Sequence, residues 1–184
     1  SLGGFVGSGV NNVVTMAAGT TALTVLPVAA SPDGVTPANV VSPGHAGKTL
    51  ILTDAGYILN LPIINATTPD DTTNPNQLNN TGMEFEFFLN ADLTGGNTVV
   101  INTGRATDAF YGSALVVDDG GGAQETFPAV AATTITLTAT TSAGEYGSIV
   151  RCKAVTGAGV NGVWFVEATL INPNVAAPAV TPFS

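Results

Sequence analysis

Few side chains in these 184 residues can do chemistry: one histidine (His45), one cysteine (Cys152), 4 Lys+Arg and 13 Asp+Glu. His45 lies in Pro43-Gly44-His45-Ala46-Gly47-Lys48. A general base there needs a nucleophile and an orienting carboxylate beside it. No H-E-x-x-H, G-x-S-x-G or paired-histidine spacing supplies them, so the simpler reading is a loop histidine. Cys152 alternates with Arg151 and Lys153, which turns it inward while they face out. A buried cysteine acts as a small hydrophobe and is inert.

The acidic residues fall in short groups. Asp70-Asp71 and Asp118-Asp119 could offer oxygen ligands to Ca²⁺, but neither resembles an EF-hand loop, and solvated turn carboxylates are the default. Glu84 and Glu86 share one strand face, as paired glycosidase carboxylates do. Without a flanking aromatic platform they read as a polar outer face. Gly157-Ala158-Gly159-Val160-Asn161-Gly162 matches G-x-G-x-x-G. A dinucleotide site needs that pattern to open a helix. Here Val163-Trp164-Phe165-Val166 follows and reads as strand, and Asn161-Gly162 is a favoured hairpin pair. Asn65-Ala66-Thr67 and Asn79-Asn80-Thr81 fit the glycosylation sequon, though Asn- and Thr-rich chains produce such matches by chance. Trp164 reads as a core anchor whose N–H needs a partner. No catalytic, cofactor-binding or metal-ligating residue is expected.

The elements that would position these residues are strands. Met83–Leu89 places Phe85, Phe87 and Leu89 on one face and Glu84 and Glu86 on the other. Thr134–Thr138 alternates strictly, with Ile135 and Leu137 inward. Ser148–Val155 and Val163–Leu170 follow, the second with Trp164, Val166 and Ala168 on one face. Thr49–Leu52, Tyr57–Leu61, Thr98–Asn102 and Ala114–Val117 read as shorter buried strands. Turn chemistry separates them, at Asp54-Ala55-Gly56, Thr94-Gly95-Gly96-Asn97, Asp118–Gly122, Ser142-Ala143-Gly144 and Gly157–Gly162. Glycine, proline and β-branched residues recur too often for a helical stripe. The pattern predicts an all-β, antiparallel β-sandwich or jelly-roll-like domain over residues 46–171. Residues 1–45, with Pro27, Pro32, Pro37 and Pro43, read as an extended arm able to pair as an edge strand and contact a neighbour. Residues 172–184 read as an extended tail, and Thr67–Thr81 as a long polar loop of the kind that carries interactions.

Charge narrows the function classes. The net charge is −9, and duplex binding needs clustered cations. Of Lys48, Arg105, Arg151 and Lys153 only the last two are close in sequence, which fits a solvated or ion-pairing face. No nucleic acid partner is expected. Nor is a membrane, because no apolar run nears the ~18 residues a spanning helix needs, and Ala22–Ala30 is broken by Thr24 and Pro27. Residues 1–20 lack a basic region and a continuous apolar core, so no signal peptide is expected. A lone cysteine forms no intrachain disulfide. Charged residues make up 9% and hydrophobic residues 45%, against roughly 25% charged in an ordinary globular protein. Such a surface is hard to keep monomeric, which predicts an oligomer.

Gly47-Lys48-Thr49-Leu50-Ile51-Leu52, Gly56-Tyr57-Ile58-Leu59-Asn60-Leu61-Pro62, the aromatic strand Phe85-Glu86-Phe87-Phe88, Thr133–Thr141, Val163-Trp164-Phe165-Val166 and the ending Ala177-Pro178-Ala179-Val180-Thr181-Pro182-Phe183-Ser184 follow one another in an order that resembles small β-rich proteins of marine tailed bacteriophages, the capsid decoration or cement proteins. The resemblance covers roughly three-quarters of the chain in packing and turn motifs. It implies a non-enzymatic virion structural protein on the outer capsid surface, bound to the major capsid protein, with no catalytic residues to carry over. A symmetric oligomer, most simply a homotrimer, is the matching expectation. The contact residues would be Leu23, Val25, Leu26 and Val28 in the arm and Val180 and Phe183 in the tail. A receptor- or glycan-binding fibre or spike domain is the alternative, and it calls for an exposed aromatic cluster, whereas Tyr57, Tyr111 and Tyr146 are scattered in sequence. A polysaccharide hydrolase is disfavoured by the scarcity of candidate acid–base groups, of which Glu84, Glu86 and His45 are the ones to substitute. A surface-layer or pilus subunit shares the composition.

Overall fold

In the computed structural model, the structure describes residues 13–15, 41, 43–64, 81–118, 124–139, 143–156, 162–172 and 180–184. These residues form β1 (Val13–Thr15), β2 (Thr49–Leu52), β3 (Tyr57–Asn60), β4 (Glu84–Leu89), β5 (Thr98–Asn102), β6 (Ala109–Asp118), β7 (Glu125–Ala132), β8 (Thr134–Thr138), β9 (Ile149–Thr156) and β10 (Gly162–Asn172). The only helical turn among them is a 3₁₀ turn at Pro43–His45. Seven strands pair in the order β1-β2-β4-β9-β10-β6-β7 and three in the order β3-β5-β8.

Alternation decides which side of each strand is buried. β4 buries Phe85, Phe87 and Leu89, β8 buries Ile135 and Leu137, and β10 buries Trp164, Val166, Ala168 and Leu170. The two sheets pool these faces, with Tyr57, Leu59, Val99 and Ile101 from the smaller one, into one hydrophobic core. Phe85 and Trp164 pack as tilted rings with centroids 5.9 Å apart. Each such side chain contributes about 1.5–3 kcal/mol through burial. The all-β, sandwich-like architecture agrees with the sequence pattern.

Strand direction follows the antiparallel expectation in four of the eight pairings, and both sheets are mixed. β1–β2, β2–β4, β3–β5 and β6–β10 run parallel, whereas β4–β9, β9–β10, β5–β8 and β6–β7 run antiparallel. For β2–β4 and β3–β5 the cause is the path of the chain. From β2 to β5 successive strands fall alternately in the large and the small sheet. Two strands of one sheet are then separated by a strand of the other, and they point the same way. Alternating hydrophobicity records the buried face and is blind to the neighbour's direction.

Both predicted extensions join the domain in part. β1 pairs along β2 at the edge of the large sheet, as an edge strand from the arm. Val41 is buried, and its N–H donates to the carbonyl of Asn60 at 2.8 Å. At the other end, Phe183 bridges Ile135, Thr136 N–H donates to Pro182 O at 2.8 Å, and Ser184 N–H donates to Thr134 O at 3.0 Å. The last residues therefore cover the open edge of β8. Leu23, Val25, Leu26 and Val28 lie outside the described residues. Phe183 is a correction: it is 8% exposed and belongs to the core, so its side chain is spent on the chain's own fold. Val180 is 47% exposed.

Candidate functional site

The chemistry-bearing residues are dispersed, and most of them hold the fold. His45 ends the 3₁₀ turn half-buried, with Nδ1 buried and without a hydrogen-bond partner. Burial first, and then the neighbouring Lys48, hold its pKa below the ordinary 6.5, which keeps the ring neutral near pH 7. Cys152 faces Phe85 and Val166 across neighbouring strands. It is fully buried, and burial pushes its thiol pKa upward, leaving no thiolate to react. Gly162 opens β10 rather than a helix, contrary to what a dinucleotide loop needs. Residues 157–161, Asp70, Asp71, Asp119, Asn65 and Asn79 lie outside the described residues.

Glu86 and Glu84 do face outward, side by side on β4. Glu86 accepts from Thr49 Oγ1 at 2.7 Å and from Arg151 Nε at 2.6 Å. The Thr49 hydrogen bond, with Arg151 adding to it against some desolvation, holds the carboxyl below its ordinary range. A glycosidase acid needs the opposite shift. This glutamate is a registering group between strands β2, β4 and β9.

Sequence reasoning missed one buried cluster. Asp108 is 0% exposed. Its Oδ1 accepts from Arg105 Nη2 at 2.8 Å and from Gly162 N–H at 2.9 Å, and its Oδ2 accepts from Ile64 N–H at 3.3 Å. One carboxylate thus ties the chain after β3, the turn before β6 and the first residue of β10. A side chain on Gly162 would collide with Ile64. Arg105 is three positions away and could pair equally well in solvent; the two backbone donors that mark this aspartate as buried are 44 and 54 positions away.

The second missed feature is a row on the outer face of the large sheet. Lys153, Phe165, Tyr111 and Val130 are paired residues on β9, β10, β6 and β7, with Glu84 of β4 opposite Lys153. Phe165 is 42% exposed, Tyr111 42% and Val130 72%. With strands ~4.8 Å apart, three large apolar side chains stand on adjacent strands. The next row carries Glu86, Arg151, Glu167 and Ser113, ~6.7 Å along. Gly112 permits this arrangement. Its φ is +145°, and a Cβ there would collide with the carbonyl of Val166. A bulge between Phe110 and Tyr111, with Ala131 at φ 54°, then turns Val130 outward. Farther along, Phe88 is covered by Tyr146 edge to face at 5.9 Å. The Phe165 row has no such cover among the described residues. Half of this feature was visible in sequence, since inward Trp164 and Val166 force Phe165 outward. The register that sets it beside Tyr111 was not.

Among the described residues no group of three His, Cys, Asp or Glu could hold a metal ion, and no helix is long and apolar enough to cross a membrane. Comparison with protein-family models, with curated proteins and with solved structures finds no match.

Proposed function

We propose that this chain is a non-enzymatic virion structural protein that decorates a bacteriophage capsid, binding the major capsid protein from outside as a symmetric oligomer and stabilising the shell. The observation that carries the reading is a division of labour between side chains. Glu86, Asp108 and Cys152 are committed to strand register, a buried clamp and the core. Large apolar side chains stand exposed on a strand face instead. Such a molecule is equipped to contact neighbours rather than to transform a substrate. The viral setting rests on the motifs from Gly47 to Ser184 described above. Modest individual contacts suffice in a shell, because many copies reinforce one another.

The test is co-sedimentation. The protein should pellet with intact virions and disappear when the outer shell is stripped. A receptor- or glycan-binding domain is favoured by one specific observation, the pairing of Tyr111 with Phe165 on the outer face. Binding on a glycan array together with no affinity for empty capsids would select it.

A further inference from the structure

We infer that the outer face of the large sheet, centred on Phe165, Tyr111 and Val130, is where this chain meets a second copy of itself. The inference rests on the oligomeric reading above and names its surface. Three observations carry it. The first is exposure: three of the six large exposed hydrophobic side chains among the described residues fall in one cross-strand row, whereas Ile58, Tyr146 and Val180 stand singly on other segments. Val130 is aliphatic and the most exposed of them. It suits a protein partner and adds no stacking ring for a sugar.

The second is charge. The chain carries −9 overall and only 4 Lys+Arg, so two copies repel wherever acidic surfaces meet. This face holds Arg151 and Lys153, half of those cations, next to Glu84, Glu86 and Glu167. It is nearly neutral and carries both signs. Lys153 of one copy can therefore oppose Glu84 or Glu167 of another, a pairing that fixes register more than it adds affinity.

The third is the guarded edge. β7 is the last strand of the sheet. Pro128 sits in its middle opposite Ser113, and the bulge follows. Proline offers no N–H to an added strand, and a bulge bends the edge away. A partner is steered from the edge onto the face.

The test is sedimentation velocity on the purified full chain across a wide concentration range. The wild type should self-associate. Phe165→Glu and, separately, Val130→Asp should weaken association roughly tenfold or more, as loss of a central apolar contact does, with unchanged circular dichroism. Ile58→Glu, on the small sheet, should leave association intact. Lys153→Glu and Glu84→Lys should each weaken self-association, and mixing the two variants should restore it. A wild-type chain that stays monomeric, Ile58→Glu acting while both face variants do not, or glycan binding by a monomer that Phe165→Glu abolishes would each overturn the inference. Self-association through this face without virion co-sedimentation would reject the shell reading alone. Co-sedimentation of a monomer would reject the face alone.

Discussion

The two sheets treat their outward faces differently. On the small sheet, Asn102 Nδ2 donates to Asn60 Oδ1 at 3.1 Å and Thr134 Oγ1 donates to Asn102 Oδ1 at 3.0 Å. A ladder of neutral groups satisfies itself across β3, β5 and β8, and the chain's last residues close the free edge. On the large sheet the polar row is ionic and the adjoining row is apolar and exposed. The first face leaves one large apolar side chain in water, Ile58, and is otherwise finished by its own chain. The second leaves apolar area in water that intrachain packing could have covered, as Tyr146 covers Phe88. What differs is whether the chain completes the face itself; on the reading proposed above, a second copy completes the other.

The sharpest way to break this contrast is to compare the molecule's two carboxylate–arginine pairs. At the seam between the sheets Asp108 is 0% exposed, while the side chains of Arg151 and Glu86 on the open face are 52% and 27% exposed. Asp108→Ala should cost about 3–5 kcal/mol, because it removes the counter-charge of a partly buried guanidinium and the acceptor of two N–H groups. Glu86→Ala should cost less than ~1 kcal/mol. Chemical denaturation of both variants measures the difference. Equal losses would mean that the open face is as much a part of the fold as the seam.

A somewhat smaller effect tests the closed side. Phe183→Ala removes a buried ring from the covered edge of β8 and should cost about 3 kcal/mol, without changing the association state. If stability is unchanged and association falls, the tail belongs with the open face and the contrast fails.

The smallest effect is acid sensitivity. Hydrogen bonds from Thr94 and Asn97 hold Asp54 below its ordinary 3.8, and those from Thr49 and Arg151 hold Glu86 below 4.5. Their stabilisation is complete above those values and is lost as pH falls through the lower folded ones. His45 also titrates below its ordinary 6.5, so the unfolded chain takes up its proton first. Stability should therefore slip between pH 6.5 and the folded value of His45, and then fall again below pH 4. Thermal unfolding of the wild type and His45→Gln would separate the steps, and only the wild type should show the first.

Sequence alone carried the inward faces of β4, β8 and β10, because strict alternation leaves no other buried side. β7 escaped notice, since Pro128 and its run of alanines lack strand character and the strand tolerates them only at an edge. β6 runs beyond the predicted Ala114–Val117 because Gly112 interrupts the alternation without ending the strand. Parallel pairing, the Asp108 clamp and the Phe165–Tyr111 row all depend on register between distant segments, which no local pattern encodes. The burial of Phe183 is illegible for the same reason: an aromatic in a proline-rich segment has no local partner, and β8 supplies it from 48 positions away.

The proposed role is contact rather than chemistry, and its most direct measurement is the sedimentation of the full chain with intact virions. The protein should travel with the particle at high copy number and leave with the stripped outer shell. A chain that stays in the supernatant while virions pellet would contradict it.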